Sequence, residues 1–175
     1  MSLLTFHKPD KILLQKANEF EGTFEFKPLE PGFGVTIGNA LRRVLLSSLE
    51  GYAIVGVKLT GVDHEFSTIK GVLEDVTEII LNLKQIRLKK VLEDDSNSSK
   101  IFLTIKDKEQ FTAGDIEKHT NVFTVTNPDL VICNLESLVT LEIELTIQKG
   151  RGYVPAEDHE LGDVPVGFIP LDAVF

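Results

Sequence analysis

A single cysteine, Cys133, stands in the 175-residue sequence, so neither an intramolecular disulfide nor a cysteine-based zinc cage can form. A lone cysteine in such a chain is expected to be a small buried apolar residue. Positive charge is also scarce. Lys and Arg number 18 against 27 Asp and Glu, a formal net charge of −9, whereas a protein that grips a phosphate backbone presents a basic face. A protein partner is the better expectation than a nucleic acid. No apolar run reaches the roughly 18 residues of a membrane span. The start, Met1-Ser2-Leu3-Leu4-Thr5-Phe6-His7-Lys8, lacks the basic opening and long apolar stretch of a signal peptide, so a cytoplasmic protein without a membrane contact is expected.

Signatures of catalysis are missing too. There is no Gly-x-Ser-x-Gly elbow, no Gly-Lys-Ser/Thr to complete a Walker loop, and no carboxylate cluster for magnesium. The histidines, His7, His64, His119 and His159, are scattered, and no two stand at helical or zinc-finger spacing. Asp63-His64-Glu65 sets a base beside two carboxylates, but adjacent residues of an extended loop point in different directions and rarely converge on one atom. Neither a metal nor a cofactor is expected. One pattern keeps an enzyme in view: Gly32-x-Gly34-x-x-x-Gly38, between a strand and a helix, could cradle a nucleotide phosphate. Its spacing is one residue too long for the dinucleotide fingerprint, the strand before it alternates polar and apolar residues, and no further βα units follow.

What is present reads as a folded α+β chain. Hydrophobic residues make up 42% and charged residues 26%, near globular averages, and the length suits one domain or two small interleaved ones. Glu21–Lys27 alternates with the period of a half-buried antiparallel strand. Pro28, Pro31, Gly32 and Gly34 mark a loop, after which Thr36 is expected to cap a helix from Ile37 to Glu50, ended by Gly51. At about 100° per residue, Ile37, Ala40, Leu41, Val44, Leu45 and Leu49 share a broad apolar face, expected to pack on the protein's own sheet. Leu46 falls outside that face, between Arg42 and Arg43. Arginine is enriched at interface hot spots because its planar fork binds carboxylates and carbonyls while its stem buries well, so a second contact surface is expected here.

A strand over Ala53–Leu59 and a loop over Asp63–Thr68 lead to a second helix, expected from Gly71 to Leu83. Val72, Val76, Ile79, Ile80 and Leu83 share one face, and Glu74, Asp75 and Glu78 bring negative charge to its first turns. From Gln85 onward the chain is β-rich, with short strands at Ile86–Leu92, Ile101–Lys106, Val122–Val125 and Leu130–Asn134, then a long alternating one over Val139–Gln148. Glu93–Ser99 reads as a solvated hairpin tip. Gly150–Ala156 is a glycine-flanked loop, and a last strand runs through Val166, Phe168, Ile169, Leu171 and Val174. No internal repeat is present.

Three blocks together resemble the bacterial RNA polymerase alpha family. They are Leu29-Glu30-Pro31-Gly32-Phe33-Gly34 with Thr36–Ser48; Gly61–Thr68 with Gly71–Lys84; and Gly150-Arg151-Gly152-Tyr153-Val154-Pro155-Ala156. The resemblance implies an α+β fold of two subdomains. A dimerisation subdomain, an antiparallel sheet plus helices, comprises residues 1–51 and 164–175, and a β-rich subdomain, 52–163, is inserted in it. It further implies a non-catalytic homodimer on which the beta and beta prime subunits assemble, contributing to nucleotidyl transfer by holding the catalytic subunits in place. Carried over by motif, Arg43 grips beta, with Arg42, Leu46, Ser47, Ser48 and the His64, Glu65 and Thr68 loop around it. Glu78 and Lys84 face beta prime, while Phe33, Ile37, Leu41 and Leu45 form the dimer contact. The family continues past Phe175 into more of the first subdomain, a long pairing helix, a linker and a DNA- and activator-binding domain. Apolar surface on the Ile37–Glu50 helix is therefore expected to be exposed in this chain.

Overall fold

The alternating Leu141–Arg151 segment forms β9, with Leu141, Ile143, Leu145 and Ile147 buried along one face. It pairs antiparallel with β3 (Glu50–Leu59), from Glu50↔Arg151 to Leu59↔Ile143. A bulge between Ile54 and Gly56 shifts the register and reverses which face the side chains of β3 take. Ile54, Val57 and Leu59 accordingly enter the main core, while Ala53 and Val55 enter a smaller cluster with Ala173 and Phe175. The run Ala53–Val57 is thus buried throughout, as expected of a strand covered on both sides. On the far side of β9 lies β5 (Ser98–Ile105), with Ile101, Leu103 and Ile105 buried. The other edge of β3 is shared: β4 (Leu88–Lys90) joins at Tyr52, and β11 (Phe168–Pro170) joins at Gly56–Lys58. β7 (Phe123–Val125) pairs with β4.

This computed structural model describes residues 9–18, 21–92, 96–136, 139–159 and 165–175. His7, residues 93–95 of the expected hairpin tip and the expected subdomain boundary at 163/164 lie outside them. The chain forms two compact units, 1–46 and 47–175. The second contains the sheet just described, β6 (Gln110–Thr112) paired with β8 (Val131–Asn134), and β10 (Tyr153–Val154) paired with β12 (Ala173–Val174). Helix α2 (Val76–Leu83) lays Val76, Ile79 and Leu83 into the core, and α3 (Ala113–Glu117) adds Ala113 and Ile116. Complete burial of such a leucine or isoleucine contributes about 1.5–3 kcal/mol. Cys133 is buried in this core, where burial first and Glu74 second push its thiol up to about 12, so it stays protonated and inert.

The first unit contains a hairpin of β1 (Lys11–Ala17) and β2 (Gly22–Lys27), then helix α1 (Phe33–Ser47). α1 begins four residues earlier than expected and ends at Ser47. Gly32, with φ +89°, forms the entry turn, and Phe33 N–H donates to Glu30 O at 3.1 Å. Thr36 therefore lies inside the helix instead of capping it, and Glu50 and Gly51 belong to β3. Within the first unit no residue of α1 is buried, so the β1–β2 hairpin does not supply the packing expected for the Ile37–Leu49 face. A two-stranded hairpin cannot enclose a helix, and the hairpin's Ile12, Leu14 and Phe24 are themselves exposed.

The second helix is also shorter than its periodicity. Gly71 has φ +80°, Val72 bridges Leu135, and Leu73 N–H donates to Asn134 O at 3.0 Å, so Gly71–Asp75 forms a turn and bend tied to the end of β8. Glu74 accepts from Asn134 N–H at 2.7 Å and Nδ2 at 2.6 Å, and Asp75 caps α2 by accepting Glu78 N–H at 2.7 Å. Of the three acids expected to face the helix dipole, Glu78 alone lies in the first turn.

Asp115 is the one buried carboxylate among the described residues, at 2% exposure. Burial pushes its carboxyl upward, but Lys108, Lys118 (2.7 Å) and Thr112 N–H (3.2 Å) more than offset this and hold it at about 2. With a folded pKa below the ordinary carboxylate value, the stability it adds is full at neutral pH and is lost as pH falls through about 4 towards 2. Asp115→Ala is expected to cost about 2 kcal/mol at pH 7, read as a lower urea midpoint, and the gap from the parent chain should narrow below about pH 4 and close towards about pH 2. A gap independent of pH would reject the charged interaction as its source.

Candidate protein-docking surfaces

In the first unit, α1 carries Arg42, Arg43 and Leu46 on one side and Phe33, Ile37, Leu41 and Leu45 on another. Leu46 is 72% exposed, Leu45 60% and Leu41 56%; Ile37 is half-buried. Arg42 Nη1 donates to Asn39 Oδ1 at 2.8 Å, which props its guanidinium beside the helix. At the helix end the Ser47 and Ser48 hydroxyls stand 3.2 Å apart. Each large apolar side chain covered by a partner would contribute up to about 1.5–3 kcal/mol, so this helix has more to gain from association than any charged patch described here.

In the second unit, residues 63–68 form a turn pinned to the start of α2. Ser67 N–H donates to His64 O and the Ser67 hydroxyl shares a hydrogen bond with His64 Nδ1, both at 3.2 Å. Val76 N–H donates to Ser67 O at 3.1 Å, and Thr77 Oγ1 donates to Glu65 O at 3.0 Å. These bonds leave His64, Glu65 and Thr68 exposed, with Phe66 at 79%. The imidazole bonds a serine, not Asp63 or Glu65, so the Asp-His-Glu triplet does not assemble a general base.

Glu78 and Lys84, grouped in the sequence reading, lie on different sides of α2. Glu78 lines a shallow depression with Leu73, Leu81 and Gln85. Lys84 borders a groove of about 330 Å³ whose walls include Glu65, Ile80, Ile169 and Asp172. Glu65 and Lys84, expected at separate interfaces, therefore share one groove. Lys84 Nζ pairs with Asp172 Oδ2 at 3.1 Å, and Asp172 Oδ1 accepts Ala156 N–H at 3.0 Å. The sequence reading missed Asp172. A lone acid between the apolar residues of Leu171-Asp172-Ala173-Val174 needs a fixed partner, and that was the available signal.

The glycine pattern does not form a phosphate loop. Gly34 and Gly38 lie within α1, only Gly32 occupies the turn, and the surrounding strands are antiparallel. Among the described residues, no group of three or more His, Cys, Asp or Glu could hold a metal, and no helix is long and apolar enough to cross a membrane.

Because Asp75 caps α2 by accepting Glu78 N–H, Asp75→Ala is expected to cost about 1 kcal/mol and to speed exchange of the Glu78 amide. Hydrogen exchange at that amide checks it, and unchanged protection would rule out the cap.

Residues 56–175 match the model of the RNA polymerase Rpb3/RpoA insert domain. Over all 175 residues the chain is 59% identical to the DNA-directed RNA polymerase subunit alpha of Cytophaga hutchinsonii and 57% identical to that of Flavobacterium psychrophilum, covering 53% of each. It is 46% identical over 169 residues, 95% of the chain, to the subunit of the same name from Chloroherpeton thalassium, covering 51% of it. The chain thus spans about half the length of these curated relatives. With the match covering more than half of its residues, the chain belongs to the RNA polymerase Rpb3/RpoA insert domain family.

Proposed function

We propose that the chain is the N-terminal assembly portion of a bacterial RNA polymerase alpha subunit: a non-catalytic, cytoplasmic scaffold that pairs with a second copy and holds the beta and beta prime subunits. The observation that carries this reading is α1, a helix with no buried residue that bears exposed leucines on one side and an arginine pair bracketing Leu46 on the other. In this proposal Phe33, Ile37, Leu41 and Leu45 meet the second copy. Arg42, Arg43, Leu46, Ser47 and Ser48, with His64, Glu65 and Thr68, meet beta, and Glu78 and Lys84 meet beta prime. The division into a dimerisation part, 1–51 with 164–175, and an insertion, 52–163, belongs to the same proposal and describes the assembled subunit. No direct nucleic-acid contact is assigned to this region, in keeping with a net charge of −9.

Co-expression with the cognate beta subunit, affinity capture and light scattering test the scaffold. A two-to-one complex is expected. Arg43→Ala should weaken capture by at least ~30-fold, the loss typical of a buried arginine hot spot, while leaving the urea midpoint unchanged because the residue supports no core. Undiminished capture by the variant would remove Arg43 from the interface, and a strictly one-to-one complex would remove the paired scaffold.

A further inference from the structure

The Gly150–Ala156 motif and the chain's last seven residues form a structure that the scaffold reading leaves unexplained. Residues 169–175 cross the second unit as a strap tied at both ends. At one end Ile169 pairs with Val57 and Leu171 N–H donates to Val55 O at 2.8 Å. At the other, Ala173 and Val174 pair with Val154 and Tyr153, and Phe175 N–H donates to Gly152 O at 2.9 Å. His159 Nε2, three residues beyond the loop, donates to Leu171 O at 2.9 Å. Gly51 and Gly150 are cross-strand partners, and a Cβ on either would run into Phe175. The two glycines thus leave a slot in the sheet that Phe175 fills.

Asp172 sits midway along this strap, and its two carboxylate oxygens are divided between two elements. One takes Ala156 N–H from the glycine-flanked loop; the other takes the Lys84 ammonium at the end of α2. Both side chains are half-buried. The backbone of Lys84 is held as well: its N–H donates to Ile80 O at 3.0 Å, and its carbonyl accepts from Arg87 Nη1 at 3.2 Å. An ordinary surface ion pair contributes little because two mobile side chains must be ordered to form it. Here the carboxylate is already fixed by a backbone amide on a strap that cannot slide, so the lysine alone has to be ordered. The Ala156 N–H and then Lys84 hold the Asp172 carboxyl below the usual carboxylate range, so it stays ionised at any working pH.

We propose that Asp172 is the positioning residue for Lys84: the strap and the Gly150–Ala156 loop act as a clasp that holds the lysine's ammonium at the lip of the Glu65–Lys84 groove in one direction. This deepens the reading in which Lys84 faces the beta prime subunit, and rests on it. The partner surface then meets a pre-formed Lys–Asp pair with its donors already aimed. It does not have to order a free lysine, so less is lost on association.

Asp172→Asn separates the two bonds, because an amide oxygen still accepts Ala156 N–H while the charge that holds Lys84 is gone. The chain, Asp172→Asn, Lys84→Met and the double variant are each co-expressed with both large subunits, and the captured subunits are quantified alongside melting temperatures. Asp172→Asn is expected to reduce beta prime capture about tenfold, with beta capture and melting unchanged, and the double variant to be no weaker than Lys84→Met alone, the mark of two residues acting as one. Normal beta prime capture by Asp172→Asn beside a deficient Lys84→Met would overturn the positioning role and leave the assignment of Lys84 standing. Normal capture by Lys84→Met would overturn that assignment and the inference with it. Loss of both large subunits together with a lowered melting temperature would make Asp172 a merely structural residue and overturn the proposal. Carbon-13 titration of the Asp172 carboxyl gives a readout independent of assembly: its pKa must rise in Lys84→Met, and an unmoved value would overturn the pairing itself.

Discussion

The second unit depends on the β3–β9 ladder, because the elements around it take their register from one of those two strands. β5 reads β9 from one side; β4 and β11 read β3 from the other. A slip of one residue would turn Leu141, Ile143, Leu145 and Ile147 from the core to the surface, so register is enforced by four fully buried side chains at once. The bulge at Ile54/Gly56 adds a second constraint. It changes the parity of β3 midway, so that one strand faces the main core with Ile54, Val57 and Leu59 and the strap cluster with Ala53 and Val55. At the solvent end the ladder is closed by Glu50, whose carboxyl is held at about 2 by Lys149 and then Arg151; being exposed, that cluster marks the register more than it stabilises it.

Helix α1 obeys a different economy. Fifteen residues are near the lower limit for a helix that persists in water without tertiary support, and its apolar residues find no burial among the described residues of the chain. In the proposed scaffold, two kinds of surface on one short helix would divide the work of recognition. Leucines and a phenylalanine on one side supply area without directional demand, which suits a self-complementary contact, since identical apolar faces match each other. The arginine pair around Leu46 supplies directional donors, which favour one partner over others by leaving charge unpaired against the wrong one.

The parts of this fold legible in the sequence were those fixed by local period. The alternation of Val139–Gln148 foretold β9 to within three residues, and Ala53–Leu59 lies wholly within β3. The errors fell where a non-local bond overrode a local pattern. Val72 and Val76 stand four apart and fit a helix, but Asn134, 60 residues from Glu74, captures that acid's carboxylate and holds the segment out of the helix. β1 was missed because Ile12-Leu13-Leu14 has no alternation and is a strand only by virtue of β2. The candidate surfaces divide the same way. Arg42, Arg43 and Leu46 follow from helical geometry alone, while the Lys84–Asp172 pair joins residues 88 apart, and local sequence shows an acid needing a partner without showing which.

Three glycines of the β3–β9 ladder, Gly51, Gly56 and Gly150, have a common role beside the strap. In a strand, a glycine weakens the ladder and offers nothing to pack, so it persists where another chain segment must come close. Gly56 lies under the ring of Phe168, and Gly51 with Gly150 lies under Phe175. The two aromatic residues are seven apart, one just before the strap and one at its end, and each occupies a site that a single methyl group would close. Seating both fixes the strap's register on the sheet, because shifting either ring by one residue would drive it into a neighbouring side chain. Asp172, between them, is thereby held in one place, and the direction of Lys84 follows from three glycines in β3 and β9 that carry no charge.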